Sequence, residues 1–414
     1  MRFFHLGDLH FGKLVHSVPM VQKDQPFWVE RFLEKVDEYK PDAVLIAGDV
    51  YDKRIPSAEA VQLCNEFLTQ LAKRGVPVLM IAGNHDSGVR LSFGGDILKK
   101  SNIHIVGEVT REIRKVTVTD EFGPVHFYLM PYLYPRIVAD PRVLNDPEIT
   151  GYDQAVRALL AAQDMDQGAR NVILAHQNVL YNGTKPEHSE SETVVGGLGE
   201  IDASAFDAFD YVALGHIHNA QAMGRQTVRY AGCPLYYDFS EENRKKDLTL
   251  VELGEKGDVR ITPVELPLLH RMKRITGTLK EILSEGKSME HLQDYYIQAV
   301  VQDQHLPAGA MDRLRAVFGE NLINVERRPQ QIAEEISDRV SAEKREEMGL
   351  SELFSEFFKE MNEGMLLEGK QEAFLQRILE QQQGSLYCRE SRDVPEKDVE
   401  ELVAFLINSQ EGEV

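Results

Sequence analysis

Cysteine is scarce in this sequence, and the scarcity limits the kinds of protein it can be. Among 414 residues there are three cysteines, Cys64, Cys233 and Cys388. They are odd in number, lie far apart and form no Cys-x-x-Cys pair, which excludes a disulfide framework and a zinc knuckle. We therefore expect reduced cysteines that pack in the interior.

Long apolar runs are also lacking. Met1 and Arg2 are followed by only four residues of largely apolar character before Gly7, too few for a signal peptide or a membrane span. With 43% hydrophobic and 27% charged residues, the chain can bury a sizeable core. Its length has room for two or three domains of roughly 150 residues each. We expect a globular, cytoplasmic protein.

Positive charge is in deficit, but the deficit is unevenly distributed. The net charge is −21, and residues 331–414 hold 21 Asp and Glu against 9 Lys and Arg. The first 330 residues therefore carry only −9, and bound divalent cations would reverse the local sign where a phosphate has to lie. Net charge alone does not exclude an anionic partner such as DNA.

Five short apolar runs predict buried strands, and each is followed by residues that can bind a metal ion. The runs and their polar followers are 2–6 with Asp8 and His10, 44–47 with Asp49 and Asp52, 78–82 with Asn84, His85 and Asp86, 172–175 with His176, and 211–214 with His216 and His218. Helical spacing at residues 25–39, and again after the potential cap Ser57, alternates with the first three runs. This rhythm predicts an α/β fold with parallel strands.

Each polar residue taken alone has a simpler explanation. Asp49 can cap a turn or a helix, His176 can be a structural histidine, and His216 with His218 can be a surface pair. All of these simpler explanations would have to be true at once, at five strand ends. Ligands of open α/β sheets bind at such ends, so the pattern favours a binding site. Gly48 permits a sharp turn, so that Asp49 could bridge two cations about 3.5 to 4 Å apart.

The predicted metal ligands are Asp8, His10, Asp49, Asn84, His176, His216 and His218. This mixture of nitrogen and oxygen donors without a thiolate suits Mn²⁺, Fe²⁺ or Zn²⁺ rather than an all-oxygen calcium cage. A pair of such ions supports in-line attack on a phosphodiester, so we predict metal-assisted hydrolysis. His85 could protonate the leaving oxygen while Asp52 holds its ring; alternatively, His85 is an eighth ligand or a structural histidine.

The blocks Asp8-Leu-His10, Gly48-Asp-Val-Tyr-Asp52, Gly83-Asn-His-Asp86, Ala175-His176 and Gly215-His-Ile-His218 resemble, in order and spacing, the calcineurin-like metallophosphoesterase signature. Within that superfamily, segments 83–91, 189–198, 207–216 and 230–235 resemble the SbcD family of bacterial nuclease subunits. The resemblance implies a metallophosphoesterase β-sandwich flanked by helices. It implies that one Mn²⁺ is held by Asp8, His10, Asp49 and His218, the other by Asp49, Asn84, His176 and His216, and that His85 is the catalytic histidine.

The layout beyond residue 254 predicts further segments. Turn and proline signals favour a nuclease domain at 1–262, a small α/β capping domain at 267–330, and a linker with a helical segment at 331–414. The basic run His270, Arg271, Lys273 and Arg274 is either a solvated face or a DNA backbone contact. The apolar face Leu350, Leu353, Phe354, Phe357, Phe358 and Met361 either packs on the parent domain or binds an SbcC-like ATPase.

By resemblance, the expected function is that of an exo- and endonuclease on DNA ends, hairpins and single strands in repair and recombination. The expected assembly is a homodimer within a heterotetramer with the ATPase, associated with the nucleoid. Apolar residues of the helix after Ser57 belong to the core or to a dimer face. One alternative is a small-molecule phosphodiesterase or protein phosphatase with the same two metal ions. The other is a non-enzymatic scaffold on the same fold, which should have lost metal ligands, whereas all seven are present.

Overall fold

The structure, a computed structural model, describes residues 1–189, 199–305 and 307–328, and its first part alternates strands with helices as the sequence predicts. These elements are β1 Arg2–Leu6, β2 Leu14–Val15, β3 Val18–Pro19, α1 Asp24–Tyr39, β4 Ala43–Ala47, α2 Ala58–Lys73, β5 Val78–Ile81, α3 Gly88–Leu91, α4 Gly95–Leu98 and β6 Ile103–Val106. The helices α1 and α2 confirm the two predicted from spacing. Ser57 caps α2, because its side chain accepts a hydrogen bond from the Ala60 amide.

The second part, up to residue 264, adds more strands than helices. Its elements are β7 Arg114–Asp120, β8 Gly123–Met130, α5 Pro135–Val138, α6 Tyr152–Ala161, β9 Arg170–His176, β10 Asn178–Leu180, β11 Glu200–Asp202, β12 Tyr211–Gly215, β13 Gln221–Met223, β14 Arg225–Tyr230, β15 Leu248–Leu253 and β16 Val259–Val264. Among the described residues, two sheets of six strands result, in the orders β16-β15-β1-β4-β5-β6 and β13-β14-β12-β9-β8-β7. The strands β1, β4, β5 and β6 are mutually parallel, as are β8, β9, β12 and β14.

The two sheets pack face to face, and helices cover their outer faces. Alternate residues explain the layers: Phe3 points into the cluster between the sheets, whereas Phe4 packs on the outer side with Trp28 of α1 and Phe67 of α2. On the second sheet, Ile173 packs outward against α6. Strands buried on both faces read as continuous apolar runs, which is why these runs were visible in the sequence. The predicted α/β sandwich flanked by helices is confirmed.

Residues 103–130 are only partly as predicted. The sequence favours antiparallel strands throughout, and β7 with β8 does form an antiparallel hairpin. However, β6 pairs with β5 in parallel and closes the edge of the first sheet. The error has a simple reason, since the alternation that buries Ile103 and Ile105 marks one buried face but carries no strand direction.

A third, smaller sheet follows. Its elements are β17 Arg271–Gly277, α7 Leu279–Ser288, β18 Tyr295–Val301, α8 Ala310–Phe318 and β19 Leu322–Arg327, with three parallel strands in the order β17-β18-β19. Thr278 and Glu281 form a capping box that starts α7. This α/β unit has its own apolar cluster and confirms the alternation predicted after residue 267. It contacts α1 through Asp24, which lies 2.8 Å from both His270 Nδ1 and the Tyr296 hydroxyl.

The structure tests the prediction for two of the three cysteines, and several predicted segments lie outside the residues that it describes. Cys64 and Cys233 are buried free thiols, as expected. Cys388, the apolar face from Leu350 to Met361 and most of segment 189–198 lie outside the described residues. No helix among the described residues is long and apolar enough to cross a membrane.

Candidate metal centre

The predicted ligands converge where strands of both sheets end. Residues after β1, β4 and β5 supply Asp8, His10, Asp49 and Asn84 from the first sheet, and the ends of β9 and β12 supply His176, His216 and His218 from the second. Because these strands are parallel within each sheet, their carboxyl ends meet at one edge of the sandwich. All seven predicted residues lie at this seam.

Glycines allow the seam to close. Gly48 has φ +90°, and a Cβ there would collide with the imidazole of His176. A Cβ on Gly83 would collide with the carboxylate of Asp49. Only glycine therefore lets the loops of the first sheet approach the ligands that closely.

Four candidate ligands have unusual backbone conformations. Asp8, His10, Asp49 and His216 have φ values of 53°, 44°, 49° and 104°. The spacing of two between Asp8 and His10 predicts an extended backbone, in which both side chains point to one side. The predicted backbone conformation is wrong, since both residues are left-handed. Left-handed conformations cost energy in non-glycine residues and cluster at functional sites. Here they occur in three loops, after β1, β4 and β12, whose side chains meet in the ligand groups.

The first ligand group, defined as Asp8, His10, Asp49 and His218, is compact and buried. Nε2 of His10 lies 3.2 Å from Nε2 of His218 and 3.8 Å from Oδ2 of Asp49. Donor atoms of Asp8, His10 and His218 all lie within 4.8 Å of one another. These spacings allow the four side chains to bind one ion.

The second ligand group, defined as Asp49, Asn84, His176 and His216, adjoins the first. Oδ1 of Asn84 lies 3.0 Å from Nε2 of His176 and 3.1 Å from Nδ1 of His216. Nε2 of His176 is also 3.3 Å from Oδ2 of Asp49. The same carboxylate oxygen of Asp49 therefore faces both groups.

The charges at this seam are poorly balanced by the protein alone. Burial raises the pKa of Asp8 to about 7. Burial would also raise the pKa of Asp49, but His176 and His10 outweigh it and hold that pKa far below its ordinary value. Burial opposes a charge on His176, yet Asp49 and Asp8 raise its pKa to about 9. The buried carboxylates thus favour positive charge nearby, and they lie among nitrogen and amide oxygen donors. This combination suits the binding of divalent cations.

Asp86 supports the ligand loops, a role that sequence reasoning missed. Its buried carboxylate accepts hydrogen bonds from the amides of Gly83, Val50 and Tyr51 at 2.9 to 3.1 Å. It thereby connects the loop of Asn84 with the loop of Asp49. Its place in the Gly83-to-Asp86 block was the available signal, because a buried carboxylate inside a glycine turn needs backbone donors.

Gln25 and Tyr237 were also missed. The Gln25 amide donates to the backbone carbonyl of His10 at 2.7 Å, and the Tyr237 hydroxyl donates to that of Leu9 at 2.6 Å. Both side chains hold the first ligand loop by its backbone. They act through carbonyl groups that every residue carries, so no residue pattern reveals them.

The predicted pairing of His85 with the Asp52 side chain requires a correction. Nδ1 of His85 donates to the backbone carbonyl of Asp52 at 2.9 Å, while the Asp52 carboxylate lies 2.9 Å from Nζ of Lys13. The His85 ring is nevertheless close to the first ligand group, with its centroid 4.9 Å from that of His10. The backbone carbonyl accepts from Nδ1 and so fixes the proton on that nitrogen, which leaves Nε2 of His85 available for proton transfer.

A cavity of about 480 Å³ opens beside Asn84. Aromatic and basic side chains line it, among them Tyr132, Tyr134, Arg54 and Arg142. Tyr132 also lies near the ligands, with its ring centroid 6.2 Å from those of His176 and His216. The sequence alone indicates no chemistry in the proline-rich stretch at 132–153, to which Tyr132 and Tyr134 belong, although the structure places Tyr132 against the centre.

The predicted basic run is largely engaged within the protein. His270 pairs with Asp24, Lys273 Nζ lies 3.2 Å from Glu285, and Arg274 donates to Gln298. Arg271 is exposed. Of this run, Arg271 is the residue best placed for an outside contact.

Comparison with known proteins matches two stretches of the chain. Residues 1–220 match the family described as calcineurin-like phosphoesterase, and residues 269–362 match the one described as type 5 capsule protein repressor C-terminal domain. A curated relative from Staphylococcus epidermidis, the SbcD subunit of the SbcCD nuclease, is 26% identical over 321 residues, which are 77% of this chain and 83% of the relative.

Two solved structures are also similar. TT1561 of Thermus thermophilus has a TM-score of 0.37 at 12% identity and covers 64% of this chain and 99% of its own. Yfce, a phosphoesterase from E. coli, has a TM-score of 0.26 at 13% identity and covers 64% and 100%. The first family match, which ends at residue 220, contains every member of the two ligand groups.

Proposed function

Because the chain belongs to the calcineurin-like phosphoesterase family, we propose that it is a DNA nuclease that hydrolyses phosphodiester bonds with two divalent metal ions. The predicted resemblance to SbcD is confirmed by the curated relative together with the two family matches. The chain is thus a hydrolase of phosphodiester bonds that uses divalent metal ions. What we propose beyond this is that the substrate is DNA and that the number of ions is two.

The observation that carries the proposal is the position of Asp49. Its Oδ2 atom lies 3.3 Å from His176 and 3.8 Å from His10, so one oxygen faces both ligand groups. Two ions bound there would activate a water molecule, hold a phosphate oxygen and neutralise developing charge. We assign Asp8, His10, Asp49 and His218 to one ion and Asp49, Asn84, His176 and His216 to the other.

His85 is proposed as the general acid. Nδ1–H of His85 donates a hydrogen bond to the Asp52 carbonyl, so the second proton of a protonated ring would be on Nε2. The ring could transfer that proton to the leaving oxygen. The half-buried ring stands beside His10, at the edge of the centre rather than inside it. Asp52 would hold His85 through its backbone and would place Lys13 through its side chain.

Mn²⁺ is the proposed metal: imidazole, carboxylate and amide oxygen donors together suit Mn²⁺, Fe²⁺ or Zn²⁺, and the resemblance to SbcD selects Mn²⁺ among these three. Protein stripped with a chelator should regain most of its hydrolytic activity with Mn²⁺ and less with Mg²⁺ or Ca²⁺, which prefer oxygen ligands. Full recovery with Ca²⁺ would exclude this assignment.

The remaining segments are proposed to serve DNA and a partner. We assign residues 1–262 to the nuclease domain, 267–330 to a DNA-binding capping domain, and 331–414 to a linker and helical segment that binds an SbcC-type ATPase. This rests on the similarity to the SbcD subunit of the SbcCD nuclease and on the second family match, at residues 269–362. Such a protein would work in the cytoplasm, on the nucleoid.

The partner assignment is tested with the apolar face in residues 346–382. Phe357→Glu with Phe358→Glu should abolish co-purification with an SbcC-type ATPase, because two unpaired carboxylates would be buried at the interface. Metal-dependent cleavage should persist, since every proposed ligand precedes residue 219. A stable double variant that still binds the ATPase with unchanged affinity would assign this face to packing within the chain.

A homodimer is proposed from exposed apolar side chains. Phe93 is 88% exposed and Ile97 is 73% exposed, and Val61 on α2 is exposed as well. In contrast, Cys64 and Phe67 of α2 belong to the core. We expect Phe93→Glu to convert a dimer into a monomer in light scattering, whereas a monomeric parent protein would contradict the proposal.

The proposed substrate is tested by comparing the substrate classes in parallel reactions. The purified chain, loaded with Mn²⁺ and assayed with and without the ATPase, is incubated with end-labelled duplex, hairpin and single-stranded DNA. Parallel reactions contain nucleotide esters and a phosphopeptide, and Asp49→Ala is the control for contaminating activity. We expect metal-dependent DNA cleavage. Hydrolysis of esters or phosphopeptide without any cleavage of DNA would instead establish the small-molecule or phosphatase alternative.

A further inference from the structure

Glu241 lies in the interior beside a proposed metal ligand, and neither the predicted ligands nor the catalytic pair includes it. Its side chain is fully buried. Oε1 of Glu241 lies 3.5 Å from Nδ1 of His218. On the opposite side of the ring, Nε2 of His218 lies 3.2 Å from Nε2 of His10, in the first ligand group. One ring nitrogen thus faces the centre and the other faces a carboxylate.

From this geometry we infer that Glu241 is a positioning residue that fixes the ring orientation and tautomer of His218. The inference rests on the proposed function, because it concerns the ion assigned to the first ligand group. A carboxylate that accepts a hydrogen bond from Nδ1–H of a histidine keeps the ring proton on Nδ1, so that Nε2 is unprotonated and available to a metal ion. Such partners also raise the basicity of the ligand.

Lys246 holds Glu241 in place. Its Nζ atom lies 2.8 Å from Oε2 of Glu241, and the same oxygen accepts a hydrogen bond from the Tyr237 amide at 3.2 Å. Both contacts use Oε2, so the other oxygen, Oε1, is the one directed at His218. The Lys246 side chain is only 3% exposed, and its charge compensates the buried carboxylate.

A third metal site is the competing explanation, since His218, Cys233 and Glu241 place donor atoms within 4.8 Å of one another. The ammonium group of Lys246 already stands among these donors, 3.0 Å from Sγ of Cys233 and 2.8 Å from Glu241. A metal ion would have to displace a buried positive charge. A simple stabilising ion pair is also a weak explanation, because burying such a pair costs about as much as its attraction returns.

The test is the double variant Glu241→Gln with Lys246→Met, which removes the carboxylate and its counter-charge together and leaves no unpaired buried charge. Mn²⁺ binding is measured by calorimetry and by electron paramagnetic resonance, with thermal unfolding as a check of the fold. Glu242→Gln is the matched control, because Glu242 bonds the Arg274 amide rather than His218. Glu241→Asp, which keeps the charge but shortens the side chain, serves if the double variant does not fold.

We expect one of two Mn²⁺ sites to weaken about 10- to 100-fold in the double variant while the other keeps its affinity. The absorption spectrum of the Co²⁺-loaded protein should change as well, because a reoriented His218 alters the ligand field, and Glu241→Asp should give an intermediate loss of affinity. A folded double variant, or a folded Glu241→Asp, with both affinities and the Co²⁺ spectrum of the parent protein would overturn the inference. A parent protein that binds two ions but never cleaves DNA would contradict the proposed substrate and leave this test unaffected.

Discussion

The two sheets supply chemically different halves of the candidate centre. The first sheet contributes both carboxylates, the amide and one histidine, His10, whereas the second contributes histidines alone. Residues from the first sheet therefore provide the negative charge that attracts cations, and those from the second provide directional nitrogen donors. The centre exists only where the sheets are packed together, so its assembly depends on the core between them.

The two halves are also held in different ways. Ligand loops of the first sheet are fixed through their backbones, by Asp86 and by Gln25. Two histidines of the second sheet are held at the ring nitrogen that points away from the ligand groups: Nδ1 of His176 lies 2.7 Å from the Ala47 carbonyl, and Nδ1 of His218 faces Glu241. A substitution in the first half should therefore change the negative charge of the centre and the shape of its ligand loops. A substitution in the second half should change the orientation of a single histidine ring.

The largest effect is expected for Asp49→Ala, which removes the one carboxylate that faces both groups. Metal analysis of the purified variant should find both ions lost and hydrolysis at the background rate. Asp8→Ala is the comparison within the same sheet and should retain part of the second ion. Two tightly bound Mn²⁺ per chain in Asp49→Ala would show that the bridge is wrongly assigned.

The next effect separates catalysis from metal binding. His85→Gln should keep both ions and DNA affinity but lower the rate of hydrolysis about 10²-fold or more, the usual contribution of a general acid. Single-turnover cleavage and metal content measure the two properties separately. His126→Gln, on the hairpin strand β8, is the control, and full activity of His85→Gln would remove His85 from the mechanism.

A smaller effect tests the backbone support of the first half. Asp86→Asn leaves one accepting oxygen for three amide donors, and its NH₂ group meets backbone N–H groups. We expect a loss of about 1 to 3 kcal/mol in the free energy of unfolding, with weaker binding of the ion near Asn84. Denaturant unfolding measures the loss, and Asp202→Asn, a carboxylate that caps a distant turn, is the control. Unchanged stability and metal affinity would mean that the loops are held by other contacts.

The smallest effect is expected for Asp52→Asn, because the backbone carbonyl and not the carboxylate holds His85. The variant loses the contact with Lys13, a partly exposed ion pair worth about 1 kcal/mol or less, and weakens the 3.7 Å contact of the carboxylate with Nδ1 of His10, so kcat should fall less than about tenfold. A loss as large as that of His85→Gln would instead favour the carboxylate–histidine pair that the sequence suggests.

The sequence predicts the ligands better than it predicts their supports. Runs such as β4 end in ligand-type residues because buried parallel strands expose only their ends, and this pattern is local. The residue that holds His85 was predicted correctly as Asp52, but the contact uses its backbone carbonyl instead of its carboxylate, a difference that no residue pattern can reveal. Glu241 lies 23 positions after His218, at the end of the short 3-10 helix Phe239–Glu241, and no periodicity connects the two. The direction of β6 was missed because burial alternates alike in parallel and antiparallel strands.

The proposed mechanism depends above all on Asp49 bridging two ions at the seam of the sheets. Anomalous X-ray scattering at the manganese edge, from crystals of the Mn²⁺-loaded protein, measures this bridge without reference to activity. We predict two peaks about 3.5 to 4 Å apart, with the Asp49 carboxylate in contact with both. A single peak, or two peaks of which only one touches Asp49, would contradict the bridge.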